Sequence, residues 1–193
     1  MPAIRSVAVF CGAHAGSLPA YRQAAETLGR GLADAGIRLV FGGGRVGLMG
    51  ALADAALAAG GEVVGVIPEF LTRLEVAHQR VDRLVISDSM HARKQRMYEL
   101  SDAFVMLPGG IGTYDETIEV ITWRQLRLHD KPILICDVAG SAEPLVGAIE
   151  AAIARGFAAP SVRGLFTVTD GPGATLAALQ AMTAGEGAEA ARL

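Results

Sequence analysis

Glu116 follows Thr113 by three residues, and Thr113 closes a glycine-rich run, Pro108-Gly-Gly-Ile-Gly-Thr113. Two readings of this spacing stand side by side. In one, Thr113 and Glu116 form a capping box at the start of a helix, each side chain satisfying a free backbone N–H. In the other, the glycines let backbone N–H groups crowd round a phosphate at a helix N-terminus, and Glu116 stands about one turn further on, within reach of the attached sugar. A carboxylate placed there can orient water or stabilise positive charge on a ribose.

A second cluster is Ser89-Met-His-Ala-Arg-Lys-Gln-Arg96. Arg93 and Arg96 are three apart and share a helix face, which is either a solvated basic surface or a forked clamp for phosphate or carboxylate. His91 in isolation reads as a structural or surface histidine. Asp115, Glu116 and Glu119 crowd one and a half turns, but no histidine stands near them at ligand spacing, so no metal is expected.

Two more glycine-rich loops follow apolar runs, Gly12-Ala-His-Ala-Gly-Ser17 and Gly42-Gly-Gly-Arg-Val-Gly-Leu-Met-Gly50. Each alone is explained by the sterics of a tight turn, but three together point to phosphate binding. Neither the P-loop nor the dinucleotide fingerprint is present, which disfavours triphosphate hydrolysis and hydride transfer and leaves a monophosphate as the expected anion. No Gly-x-Ser-x-Gly elbow and no distinctive Schiff-base lysine is visible. The candidate substrate- and phosphate-binding set is Gly12, Gly43, Gly44, Met90, Lys94, Gly109, Gly110, Gly112 and Thr113.

These loops need a frame. Short apolar runs at residues 6–11, 38–41, 62–67, 83–86, 103–107, 132–136 and 165–168 alternate with helical periodicity at 19–35, 47–59, 89–100, 113–128, 143–154 and 174–182. That alternation predicts an α/β fold: a mostly parallel, Rossmann-like sheet of about seven strands with helices on both faces. In such sheets ligands bind beyond the carboxyl ends of the strands, where the strand order reverses. Residues 1–183 are expected to form a single domain, and the small, polar stretch 184–193 a disordered tail.

Composition narrows the function classes. Half the residues are apolar, Lys and Arg number 17 against 20 Asp and Glu, and the net charge is -3. Without basic runs, neither nucleic acid nor an anionic membrane is an expected partner. No leader pattern and no apolar run of spanning length is evident, so a cytoplasmic protein is expected. Cys11 and Cys136 end apolar runs and are expected to be buried, reduced thiols.

The motifs together, Gly42-Gly-Gly-Arg-Val-Gly-Leu-Met-Gly50, Met90-His-Ala-Arg-Lys94, Pro108-Gly-Gly-Ile-Gly-Thr-Tyr-Asp-Glu116 and Thr122-Trp-Arg-Gln-Leu126, closely resemble the LOG family of cytokinin riboside 5′-monophosphate phosphoribohydrolases, once labelled lysine decarboxylase-like. The similarity runs from about Ser6 to Val168. The resemblance implies a homodimer that needs no cofactor and cleaves an adenosine-type monophosphate, N6-prenylated or not, to free base and ribose 5-phosphate, the reaction that activates cytokinins. It assigns catalysis to Arg93 and Glu116, and phosphate binding to Gly109, Gly110, Gly112 and Thr113. Departures from the family pattern are Cys-Gly-Ala-His in the first loop, Arg45 in the second, and Val138-Ala-Gly-Ser-Ala142 where many plant-like members carry Gly-Tyr-Tyr. The alternatives are a non-catalytic carrier like the molybdenum cofactor carrier proteins, and a lysine decarboxylase using pyridoxal phosphate.

Overall fold

The computed structural model describes residues 4–72 and 77–182. In chain order the elements are β1 (Ser6–Phe10), α1 (Pro19–Asp34), β2 (Arg38–Phe41), α2 (Gly47–Ala58), β3 (Val63–Pro68), α3 (Glu69–Thr72), β4 (Arg83–Ser87), α4 (Met90–Glu99), β5 (Ala103–Met106), α5 (Ile111–Gln125), β6 (Ile133–Asp137), α6 (Glu143–Ala154), a 3₁₀ segment (Pro160–Leu165), β7 (Thr167–Asp170) and α7 (Gly171–Ala181). All seven strands pair in parallel, in the order β4-β3-β2-β1-β5-β6-β7. The expected α/β architecture is therefore present. The expected tail lies outside the described residues.

The two-residue period of a strand sends alternate side chains to opposite faces, and both faces here are apolar. Val7 and Val9 of β1, Leu39 and Phe41 of β2 and Val105 of β5 enter one core with Leu28 and Leu32 of α1 and Leu52 of α2. Ala8, Phe10, Val40, Phe104 and Met106 enter the other, against Met97 of α4, Val120 and Ile121 of α5, and Leu145 and Ile149 of α6. Central strands buried on both sides read as unbroken apolar runs, which is why they were visible in the sequence.

Strand order reverses between β1 and β5: chain progression runs outward from β1 through β4, then resumes at β5 on the other side of β1. Phe10 is in register with Met106, so the loops after these strands leave the sheet side by side. The Gly12 amide donates to the Pro108 carbonyl at 3.0 Å, and the Leu48 amide at the start of α2 donates to the Gly12 carbonyl at 3.0 Å. All three glycine-rich loops are thereby bonded into one cluster.

Several boundaries differ from expectation, and one short helix was not expected. α5 starts at Ile111 with Gly110 as its cap and no side-chain capping bond, so Thr113 lies inside the first turn and the capping-box reading does not hold. β7 begins at Thr167 because Pro160–Leu165 winds into a 3₁₀ segment, and α7 starts at Gly171, three residues early. The short α3 has too few residues to show a period.

α1 packs closely on α2 at Gly29, where a Cβ would stand 2.3 Å from the Leu52 carbonyl oxygen. Alanine in place of helical glycine ordinarily gains about 1 kcal/mol. Here overpacking against backbone costs about 1–3 kcal/mol and outweighs it. Gly29→Ala is expected to lower the urea denaturation midpoint, and a raised midpoint would refute the close helix contact.

Candidate active site

A cavity of about 700 Å³ opens at the β1/β5 reversal. Its floor carries Cys11, Gly42, Arg93 and Glu116, and one wall is the start of α5, Gly109 to Glu116. The opposite side is formed by Gly12 to Gly16 with Tyr21 of α1, and by Ala139, Gly140, Ser141 and Pro144 beyond β6.

The start of α5 has the geometry that suits an anion. With Gly110 as cap, the amides of Ile111, Gly112 and Thr113 have no carbonyl one turn earlier to bond, and they present the positive end of the helix dipole. Gly109 is confined: a Cβ there would stand 2.0 Å from Thr113 Oγ1 and 2.9 Å from the Gly12 amide nitrogen. Only glycine lets the loops after β1 and β5 meet this closely.

Arg93, on the inner face of α4, is 7% exposed. Its Nε donates to the Val66 carbonyl and one Nη to the Gly42 carbonyl, both at 3.2 Å, which fastens the guanidinium to the carboxyl ends of β3 and β2. The other Nη stands 3.8 Å from Glu116 Oε1, inside ion-pair range but beyond a hydrogen bond. Arg96, expected to share its face, turns outward and pairs with Glu99 at 2.9 Å. His91 is exposed and does not line the cavity.

Glu116 is 8% exposed on α5, facing Arg93. Burial raises its carboxyl from the ordinary 4.5 to about 7, an effect that Arg93 opposes, Asp115 and Glu119 reinforce, and Lys94 opposes. Such a group changes charge near neutral pH, as a general base must. The neighbouring Cys11 thiol is pushed upward, first by burial and then by Glu116, and stays protonated.

Of the candidate binding residues, Gly12, Met90, Gly109, Gly110, Gly112 and Thr113 line the cavity together with Arg93 and Glu116. Gly43, Gly44 and Lys94 do not. Gly43 accepts the His78 amide at 2.9 Å and Gly44 bridges Ala77, so that part of the second loop is used to hold the segment before β4. Lys94 is held by Asp115 and Glu119, each at 3.1 Å. The sequence reading did not single out Tyr21, in the first turn of α1 close after the loop that follows β1, or Pro144, and it took Ser141 only as part of a departure from the family pattern. Ser141 and Pro144 follow a strand and obey the same strand-end rule as the other loops. Ala139 and Gly140, at φ 52° and 79°, turn the chain back toward the cavity. Among the described residues, no group of three or more His, Cys, Asp or Glu side chains is placed to hold a metal ion.

The family model described as "Possible lysine decarboxylase" matches residues 49–179, a span that holds both Arg93 and Glu116. A cytokinin riboside 5′-monophosphate phosphoribohydrolase of Rhodococcoides fascians is 50% identical over 163 residues, 84% of this chain and 82% of its own. An Arabidopsis thaliana protein of the same name is 43% identical over 159 residues, 82% and 75% of the two chains. Among solved structures, a molybdenum cofactor carrier protein of Chlamydomonas reinhardtii superposes with a TM-score of 0.68 over 90% of this chain and 94% of its own. At 22% identity it shows a shared fold alone.

The raised Glu116 value carries a sign for stability. Its contribution is fully present below about pH 4.5, where the carboxyl is protonated folded or unfolded, and is lost as pH rises through about 7. Glu116→Gln should therefore match its parent in thermal melts at pH 4 and exceed it at pH 8.5 by an amount on the order of 3 kcal/mol. An equal gain at both pH values would show that the carboxyl is not held raised.

Proposed function

The chain belongs to the LOG family, whose model is described as "Possible lysine decarboxylase", and on that premise we propose that it hydrolyses the N-glycosidic bond of a purine nucleoside 5′-monophosphate. The observation that carries the reading is the placement of a buried carboxylate–guanidinium pair on the floor of a cavity whose wall is an anion-binding helix start. The relatives' printed names supply the substrate class, an adenosine-type ribotide such as a cytokinin riboside 5′-monophosphate.

In this reading the amides of residues 109–113 hold the 5′-phosphate, and the ribose lies along the first turns of α5 with its anomeric carbon toward Glu116. Departure of the purine builds positive charge on C1′ and O4′, which the carboxylate stabilises. Glu116 then accepts a proton from the attacking water. The water oxygen bonds C1′, the C1′–N9 bond breaks with its electron pair going to the purine, the proton held by Glu116 passes to the departing base directly or through solvent, and neutral base and ribose 5-phosphate leave. Arg93, immobilised by its two carbonyl bonds, attracts the carboxylate across 3.8 Å and lowers the cost of ionising it.

Two other activities fit the site less well. A decarboxylase using pyridoxal phosphate needs a lysine at the cofactor, and the residues lining the cavity include none. A carrier has no use for a titratable carboxyl facing a fixed guanidinium at the bottom of its binding site. The buried free thiols Cys11 and Cys136 support a cytoplasmic setting. Among the described residues no helix is long and apolar enough to cross a membrane.

The test is a panel of purine nucleoside mono-, di- and triphosphates and free nucleosides, with released base quantified by chromatography. Monophosphates should be cleaved selectively, Glu116→Gln should lower kcat about 10³-fold and Arg93→Ala about 10²-fold or more. Release of adenine from AMP by folded Glu116→Gln at the parent rate would end the mechanism.

We also propose a homodimer. Trp123 packs edge-on against Tyr98 at 5.2 Å and belongs to the core, but Ile111, Ile118 and Leu126 recur at spacings of seven and eight along α5 and are exposed, Ile111 by 82%. A row of this kind on a surface helix suits a partner. Sizing at micromolar concentration should give twice the chain mass, and Leu126→Glu should return the monomer.

A further inference from the structure

The Arg93–Glu116 separation has no hydrogen bond to define it. Arg93 is tied to β2 and β3 through the Gly42 and Val66 carbonyls, and Glu116 faces it at 3.8 Å. What places Glu116 is therefore the seating of α5, on the sheet through Val120 and Ile121 and against α4 at its two ends. Far from the cavity the two helices meet through the Tyr98 and Trp123 rings. At the cavity end they meet through Lys94, the residue after Arg93. Its Nζ lies 3.1 Å from Asp115 Oδ2 and 3.4 Å from Oδ1, the residue before Glu116, and 3.1 Å from Glu119 Oε2, nearly one turn beyond. The Lys94 side chain is 16% exposed, which spares the bridge the full screening of an open surface pair.

We propose that Lys94 is a positioning residue: clasped by Asp115 and Glu119, it fastens the cavity end of α4 to α5 and so sets both the separation and the charge balance of the Arg93–Glu116 pair. Two consecutive residues on each helix then divide the work. Arg93 and Glu116 face inward to the cavity, while Lys94 and Asp115 close the joint beside them, Asp115 at the cavity's edge.

The charges round Glu116 make the role measurable. Arg93 and Lys94 face it from α4, Asp115 and Glu119 adjoin it on α5, and the neutral Cys11 thiol lies at the end of β1. Burial disfavours the Lys94 ammonium, but its bonds to Asp115 and Glu119 outweigh that and hold it above its usual range, so it is charged wherever Glu116 titrates. Lys94→Met leaves two anions beside Glu116 without their cation and should move its ionisation upward. Glu119→Gln removes one anion and should move it downward. A residue that merely stabilised the fold would not produce shifts of opposite sign.

The inference rests on the proposed hydrolase reaction, and its test separates the two. The Glu116 carboxyl is titrated by ¹³C NMR in the full-length protein and in Lys94→Met, Lys94→Arg and Glu119→Gln, with Glu116→Gln identifying the signal. The acid limb of kcat/KM for adenine release from AMP is measured in parallel; the nucleotide's own phosphate ionisation is common to all variants. Expected are an upward move of about half a pH unit in Lys94→Met, a downward move in Glu119→Gln and near-parent behaviour in Lys94→Arg. Lys94→Met should also lose about tenfold in kcat with KM little changed. A Glu116 titration unmoved in both Lys94→Met and Glu119→Gln overturns the proposal whether or not base is released. Should Lys94→Met fail to fold, the sign of the Glu119→Gln shift decides alone. Opposite shifts with no base released by the parent would overturn the hydrolase reading and leave the electrostatic joint standing.

Discussion

A carboxyl group is buried in this fold without a hydrogen-bonded cation, and the rest of the molecule is arranged round that cost. Glu116 faces Arg93 at a distance that gives Coulombic attraction but no shared proton, so desolvation dominates and the group titrates near neutrality. A fully paired carboxylate would be too weak a base, and an exposed one would be screened by water. The intermediate state persists because a sheet covered on both faces supplies enough apolar burial to tolerate one unfavourable group.

Topology decides where that group can be used. Reversal of strand order beside β1 leaves a crevice that helices do not cover, and in-register β1 and β5 deliver two loops to it at the same level. Their approach is limited by backbone contact, Gly12 against Pro108 and Gly109 against the Gly12 amide. The same contact aims the start of α5 into the crevice, which joins anion binding and the carboxylate on one rigid element. Half a turn of rotation of α5 would separate them.

The site also shows how one short sequence serves two ends. The first glycine of the second loop, Gly42, accepts Arg93, while Gly43 and Gly44 bind the chain before β4. Arg93 is committed to the cleft and Arg96 to solvent, although three residues separate them. Similarity to named phosphoribohydrolases is strong across most of the chain. The first loop and the turn after β6, where the sequence departs from the family pattern, form the cavity sides opposite the anion wall.

Seven strands, six of the helices and three glycine-rich strand-to-helix loops were legible in the sequence, because burial on both faces writes apolar runs and close backbone approach writes glycine. The motifs placing Arg93 and Glu116 in one family were legible for the same reason: their spacing along the chain is local. What the sequence could not contain was the partner of each charge. Thr113 and Glu116 satisfied the spacing of a capping box, yet the helix starts at Ile111 with Gly110 as its cap, so Thr113 lies inside the first turn with its hydroxyl against Gly109. Lys94 read as a substrate ligand, yet two carboxylates from α5 hold it. Tyr21, in the first turn of α1, lines the cavity because that helix starts beside the loop after β1, a placement no local spacing marks. Local spacing fixes which residue types follow one another and hence the elements they form. Distance, burial and charge compensation arise between elements remote in the chain, and these were settled only when the sheet brought α4 and α5 together.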